Sequence, residues 1–93
     1  MSLLGKYVKQ SAEALDYDVD YTDWFQGRVG TPAAVSAFAD AGINIVSTAI
    51  IGYVVKVVLS GGVTGNTYKV TVRLATTDGL LKEIDFAVAV KDD

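Results

Sequence analysis

The groups in this chain with the capacity for chemistry are carboxylates. Asp16, Asp18 and Asp20 recur at every second position, and Glu83 and Asp85 repeat that spacing near the other end. Paired carboxylates can work as acid and base, as they do in glycoside hydrolysis, and three in a row invite a divalent cation. Ordinary strand geometry, however, puts same-face neighbours about 6.5 to 7 Å apart whatever their role. A calcium loop of the EF-hand kind begun at Asp16 needs glycine where Tyr21 stands and glutamate where Gly27 stands. The chain has no histidine and no cysteine, so histidine bases, cysteine nucleophiles, zinc sites and disulfides are excluded together. The expectation is a protein that is not an enzyme, with no catalytic residue, no metal site and no cofactor.

The element carrying the aspartates reads as a strand. From Leu15 to Tyr21 the run LDYDVDY alternates without a break, with Leu15, Tyr17, Val19 and Tyr21 on one side and the three aspartates on the other. Aspartate disfavours strands, and like charges at successive same-face positions repel. Without local basic compensation, the face needs solvent, a cation or the Lys and Arg groups of a partner. Asp16, Asp18 and Asp20 are therefore candidate partner-binding residues. A second candidate patch is Val54 and Val58, which point outward from a strand whose Val55, Val57 and Leu59 point inward. An outer face that apolar calls for a cover, either a neighbour or the N-terminal segment.

The most ordered stretch is LSGGVTGNTYKVTVRLATTDG, Leu59 to Gly79. A glycine-rich corner leads into a strand in which Tyr68, Val70, Val72 and Leu74 alternate with Lys69, Thr71, Arg73 and Ala75. Asp78-Gly79 then signals a hairpin. Leu59, the corner and Tyr68 together have the form of a tyrosine corner, which predicts the Tyr68 hydroxyl bonded to backbone near Gly61 to Gly65. Leu80 to Val90 is the last strand, with Leu80, Lys82, Ile84, Phe86, Val88 and Val90 on the core side and Asp85 and Ala87 on the wet side. Trp24 and Phe25, in a short turn capped by Thr22, are placed to plug an open end of a sandwich. Ala33 to Ala39 and Ile43 to Ala49 are further strands. Residues 1–14 read as an arm, ordered against a neighbour or frayed, and 15–93 as a single domain.

Ninety-three residues, 51% of them hydrophobic and 20% charged, support one packed core. A net charge of −3 and a pI near 4.7 speak against a nucleic-acid partner. No apolar run is long enough to span a bilayer, no secretory signal is recognisable at the start, and no membrane partner is expected. Six to seven strands with turn signals between them predict an all-β, immunoglobulin-like antiparallel two-sheet sandwich; a small open barrel is the alternative.

LDYDVDYTDWF, VSAFADAGI and LSGGVTGNTYKVTVRLATTDG, followed by a final alternating strand, resemble small virion proteins of tailed bacteriophages. These are fibre–tail adaptor or tail-associated proteins with an immunoglobulin-like fold. The resemblance covers Leu15 to Val90. It implies a structural protein of a phage or prophage, made in the bacterial host cytoplasm and found in the virion. It also implies partners among other tail or adaptor subunits, with a homo-oligomer in the assembled particle. Leu80 departs from the family, which often has arginine after the hairpin glycine, and Ile50-Ile51-Gly52-Tyr53 is more apolar than usual. The competing reading is an immunoglobulin-like module that binds carbohydrate or a cell surface through Trp24, Phe25 and Tyr53.

Overall fold

The computed structural model describes residues 2–92; Met1 and Asp93 lie outside the described residues. Seven strands and one helical turn follow in order: β1 (Ser2–Lys9), β2 (Leu15–Asp20), α1 (Thr22–Phe25), β3 (Pro32–Ala39), β4 (Ile43–Ile51), β5 (Val54–Gly61), β6 (Thr67–Thr76) and β7 (Leu81–Val90). They form a four-stranded sheet in the order β1-β7-β6-β3 and a three-stranded sheet in the order β2-β5-β4. The two do not close into a barrel, so the protein is a β-sandwich.

The alternating patterns dictate what lies between the sheets. Tyr17 and Val19 from β2, with Val55, Val57 and Leu59 from β5, face Tyr68, Val70, Val72, Leu74, Ile84, Phe86, Val88 and Val90 from β6 and β7. Phe86 is at the centre, with the Tyr17 ring 5.7 Å and the Tyr7 ring 5.6 Å from its own. Such aromatic contacts add to the area each ring removes from water.

The expected arm contains β1, which runs parallel to β7 and sets Tyr7 opposite Val88. It therefore lies at the edge of the larger sheet and not over Val54 and Val58. Its end is fixed by Lys9, buried to 1% exposure, whose ammonium donates to the carbonyls of Gln10 at 2.6 Å and Gly61 at 2.7 Å.

Tyr68 is buried, and its hydroxyl accepts the Val63 N–H at 2.9 Å. Gly62 holds φ at +96° beside it, and a Cβ there would come 2.5 Å from Val90 Cγ2. Only glycine meets both the backbone and the packing requirement.

Three local expectations are corrected. Leu80 belongs to the turn, 42% exposed, and not to the core side of the last strand; its N–H donates to the Thr76 hydroxyl instead of to a ladder. Asp85, placed on the wet side, is buried, because Thr71 opposite it donates its hydroxyl to the carboxylate at 2.7 Å. Thr22 is the first helical residue and not the cap: its own N–H and hydroxyl donate to the Asp20 carboxylate.

Candidate functional site: the outer face of the three-stranded sheet

The register of the smaller sheet builds its outer face from three parallel rows. Asp16 stands opposite Val58, Asp18 opposite Lys56, and Asp20 opposite Val54. On the far side of β5, Val58 pairs with Ser47, Lys56 with Ala49 and Val54 with Ile51. Side chains directly opposite on one face are within contact reach, so an acidic row borders an apolar row interrupted by a single lysine. Val54 and Val58 are half-buried, while Ile51 is 58% exposed. The hairpin that sets this register has the two-residue loop Gly52-Tyr53, with Gly52 at φ +61° as a type II′ turn requires.

Local compensation exists, contrary to the sequence reading. The Lys56 ammonium lies 3.2 Å from Asp16 Oδ2, reaching diagonally past Asp18. That hydrogen bond, with one from Asp16's own amide N–H, holds its carboxyl below the usual range. The Thr22 hydroxyl and amide do the same for Asp20. Asp18 has no hydrogen bond or ion pair among the described residues. Lys56 thus pairs with Asp16 alone, and Asp20 is held by Thr22 instead. Both members of the pair are exposed, where an ion pair contributes little to stability. Lys56 was visible as an outward residue between Val54 and Val58. Its position among the aspartates was not, since that depends on pairing two strands about forty residues apart.

The other singled-out residues lie elsewhere. Phe25 is buried at one end of the sandwich, its ring 4.8 Å from Trp24 and 5.0 Å from Tyr53. Arg28 lies over the Trp24 ring at 4.3 Å and donates from Nε to the Trp24 carbonyl. The three aromatics do cluster, but one is core and another is covered by a guanidinium. No cavity opens beside them among the described residues. Glu83 and Asp85 belong to the opposite sheet, where Glu83 pairs with Arg73 at 2.5 Å. Among the described residues no three Asp or Glu side chains converge closely enough to hold a metal ion.

A small sandwich with a charged-and-apolar sheet face, and no pocket among its described residues, has the makings of a structural module that works by contact. The comparison with known families is specific about which. Residues 9–89 match the model of the podophage GP4 fiber-tail adaptor protein gp77 family, and the chain belongs to that family. The matched stretch runs from the end of β1 almost to the end of β7. No curated protein matches the chain. The protein is accordingly a phage tail adaptor component, a part of the virion that binds other tail components.

Proposed function

We propose that the chain is a non-enzymatic subunit joining fibre to tail, and that it docks on its partners through the outer face of the three-stranded sheet. The observation that carries this reading is the row Asp16, Asp18 and Asp20 laid against Val54, Lys56 and Val58. An apolar strip rimmed by exposed carboxylates, Asp18 among them with no partner among the described residues, suits a protein partner whose own charges are basic. Copies of the chain assemble as a homo-oligomer around the tail, encoded by a phage or prophage and made in the host cytoplasm. Residues 15–93 act as the folding unit and 1–14 as an arm, of which β1 lies along the β7 edge. The sandwich is of the immunoglobulin kind. β2, β5 and β4 take the places of strands B, E and D, and β7, β6 and β3 those of G, F and C, with Tyr68 opening the F-like strand. β1 joins the G-like strand in parallel, where the constant-type order keeps its first strand in the sheet of B, E and D.

The test is incorporation into particles of the variant with Asp16, Asp18 and Asp20 all changed to Asn. Incorporation should fall sharply, the remaining binding should lose its salt dependence, and the unfolding midpoint should stay unchanged. Wild-type incorporation by the triple variant refutes the reading. So does saturable calcium binding by the wild type that the variant loses while still assembling.

A further inference from the structure

We infer that the free edge of β2 accepts an extended segment of a partner protein as a fourth strand of the smaller sheet, a segment bearing Lys or Arg at every second position. This deepens the docking role proposed above and rests on it.

The four edge strands are not equivalent. An open edge invites pairing, and proteins blunt such edges with bulges, prolines or charge. β1 has a register break between Leu3 and Lys6, β3 between Pro32 and Ala34 at a proline, and β4 between Ile45 and Ser47. β2 alone pairs without interruption, over all six of its residues. Its outer edge is thus straight and regular.

The polarity of that edge follows from one hydrogen bond. The Tyr21 N–H donates to the Tyr53 carbonyl at 2.8 Å, directly across the β2–β5 register. Antiparallel ladders alternate between bonded and non-bonded pairs. Leu15, Tyr17 and Val19 therefore direct their N–H and C=O groups to β5, and Asp16, Asp18 and Asp20 direct theirs to the open side. On the inner side, the buried hydroxyls of Tyr17 in β2 and of Tyr21 just beyond its end have no hydrogen-bond partner among the described residues. Polar groups are thus left open along β2 both at its edge and within.

An added strand would place its outward side chains about 4.5 to 5.5 Å, Cβ to Cβ, from the three aspartates. This selects the occupant. A second copy of β2 would set aspartate against aspartate and is repelled. Neither β3 nor β4 contains a Lys or Arg, and β1 carries only Lys6 and the buried Lys9, which are three positions apart and so do not repeat at every second residue. Lys56 and Arg73 are already paired. The complementary strand therefore belongs to another protein, and the binding mode is strand addition: main-chain bonds for affinity, alternate side chains for specificity.

The probe is a capped peptide of sequence Thr-Lys-Val-Lys-Val-Lys-Thr, added at low salt while amide hydrogen exchange is followed by NMR. Exchange at Asp16, Asp18 and Asp20 should slow about tenfold or more, while Tyr17 and Val19, already bonded to β5, do not change. The effect should vanish in high salt, with glutamate in place of the peptide lysines, and in Asp18→Pro, which removes an edge donor without touching the β5 ladder. The same peptide N-methylated at alternate residues makes the same test on the wild-type chain. The inference is overturned by three results: no binding of the lysine peptide, binding that leaves the three amides unchanged, or protection that appears without peptide as protein concentration rises. If the triple Asn variant fails to enter particles and the peptide gives no protection, strand addition falls while the docking face stands. If protection is seen but the triple variant assembles normally, the face is removed from tail assembly and strand addition stands.

Discussion

The two outer faces of the sandwich use charge in opposite ways. On and beside the four-stranded sheet the carboxylates of Asp85, Glu83 and Asp40 have partners within the chain. Thr71 donates to Asp85, Arg73 pairs with Glu83 and lies 5.0 Å from the centre of the Phe38 ring, and Asp40 accepts the Lys69 N–H at 2.8 Å. On the three-stranded sheet Lys56 pairs with Asp16 and Thr22 donates to Asp20, Asp18 has no partner among the described residues, and the strip beside them is apolar apart from Lys56. The first face has these carboxylates partnered, although Phe38 on it is 51% exposed; the second leaves Asp18 open beside its apolar strip. For a protein in an adaptor family, with no pocket among its described residues, the proposed docking role rests on that difference.

The largest expected effect lies beneath both faces. Phe86→Ala should cost roughly 3 to 5 kcal/mol, read as a lowered denaturation midpoint, because Phe86 is fully buried between Tyr7 and Tyr17. A small loss would mean the sheets are not held together at this point. The next effect separates the faces. Asp85→Ala should cost about 1 to 3 kcal/mol, since it leaves the Thr71 hydroxyl without its acceptor in a buried place. The Asp16, Asp18 and Asp20 to Asn variant should keep the wild-type midpoint near neutral pH. If the two variants lose similar stability, the distinction between a closed face and an open one fails.

That triple variant also has an acid-side signature. The Asp16 and Asp20 carboxyls lie below their ordinary range in the folded chain. What they contribute is therefore present above about pH 4, the unfolded carboxyl value, and is lost as pH falls through their lowered folded values. Urea midpoints between pH 5 and pH 2 should slope more steeply for the wild type than for the triple variant. Equal slopes would remove the Lys56 and Thr22 contacts from solution.

Much of this was legible in the residues, and what was not has a physical pattern. Alternation over LDYDVDY, VVKVVL, TYKVTVRL and the last strand placed Val55, Val57, Leu59, Phe86 and Val88 on inner faces, because a period of two specifies the buried side without knowledge of neighbours. Sidedness does not reveal pairing. The parallel docking of β1 on β7 joins the two ends of the chain, and nothing in SLLGKYVK marks it. The burial of Asp85 follows from Thr71 across the hairpin, and the Lys56–Asp16 pair from the β2–β5 register. Both are tertiary facts. The N-cap position of α1 falls to Tyr21, without a side-chain cap, because the Asp20 carboxylate takes up the Thr22 amide and hydroxyl together.

Smaller effects sharpen the account further. Tyr68→Phe should cost about 0.5 to 1.5 kcal/mol, the net value of a single hydrogen bond, because the Val63 N–H loses its acceptor; an unchanged midpoint would dissolve the corner. Smallest is Tyr21→Phe, which removes a buried hydroxyl that has no partner among the described residues. It should leave neutral stability unchanged or slightly raised. Burial pushes the Tyr21 hydroxyl up to about 12, above its unfolded value of about 10. The wild type therefore holds the associated stability below pH 10 and loses it as pH rises toward 12. The Phe variant should be less sensitive across that window, as followed by denaturation at pH 9 and pH 12.

The most direct test of the difference between the faces is carboxyl footprinting of the free chain against the chain in assembled tails, with mass spectrometry locating the labelled residues. Docking through the three-stranded sheet predicts that Asp16, Asp18 and Asp20 lose labelling on assembly while Asp40 and Glu83 label as before. Undiminished labelling of the three aspartates, with protection at Asp40 and Glu83 instead, would put the partner on the other face and contradict the account.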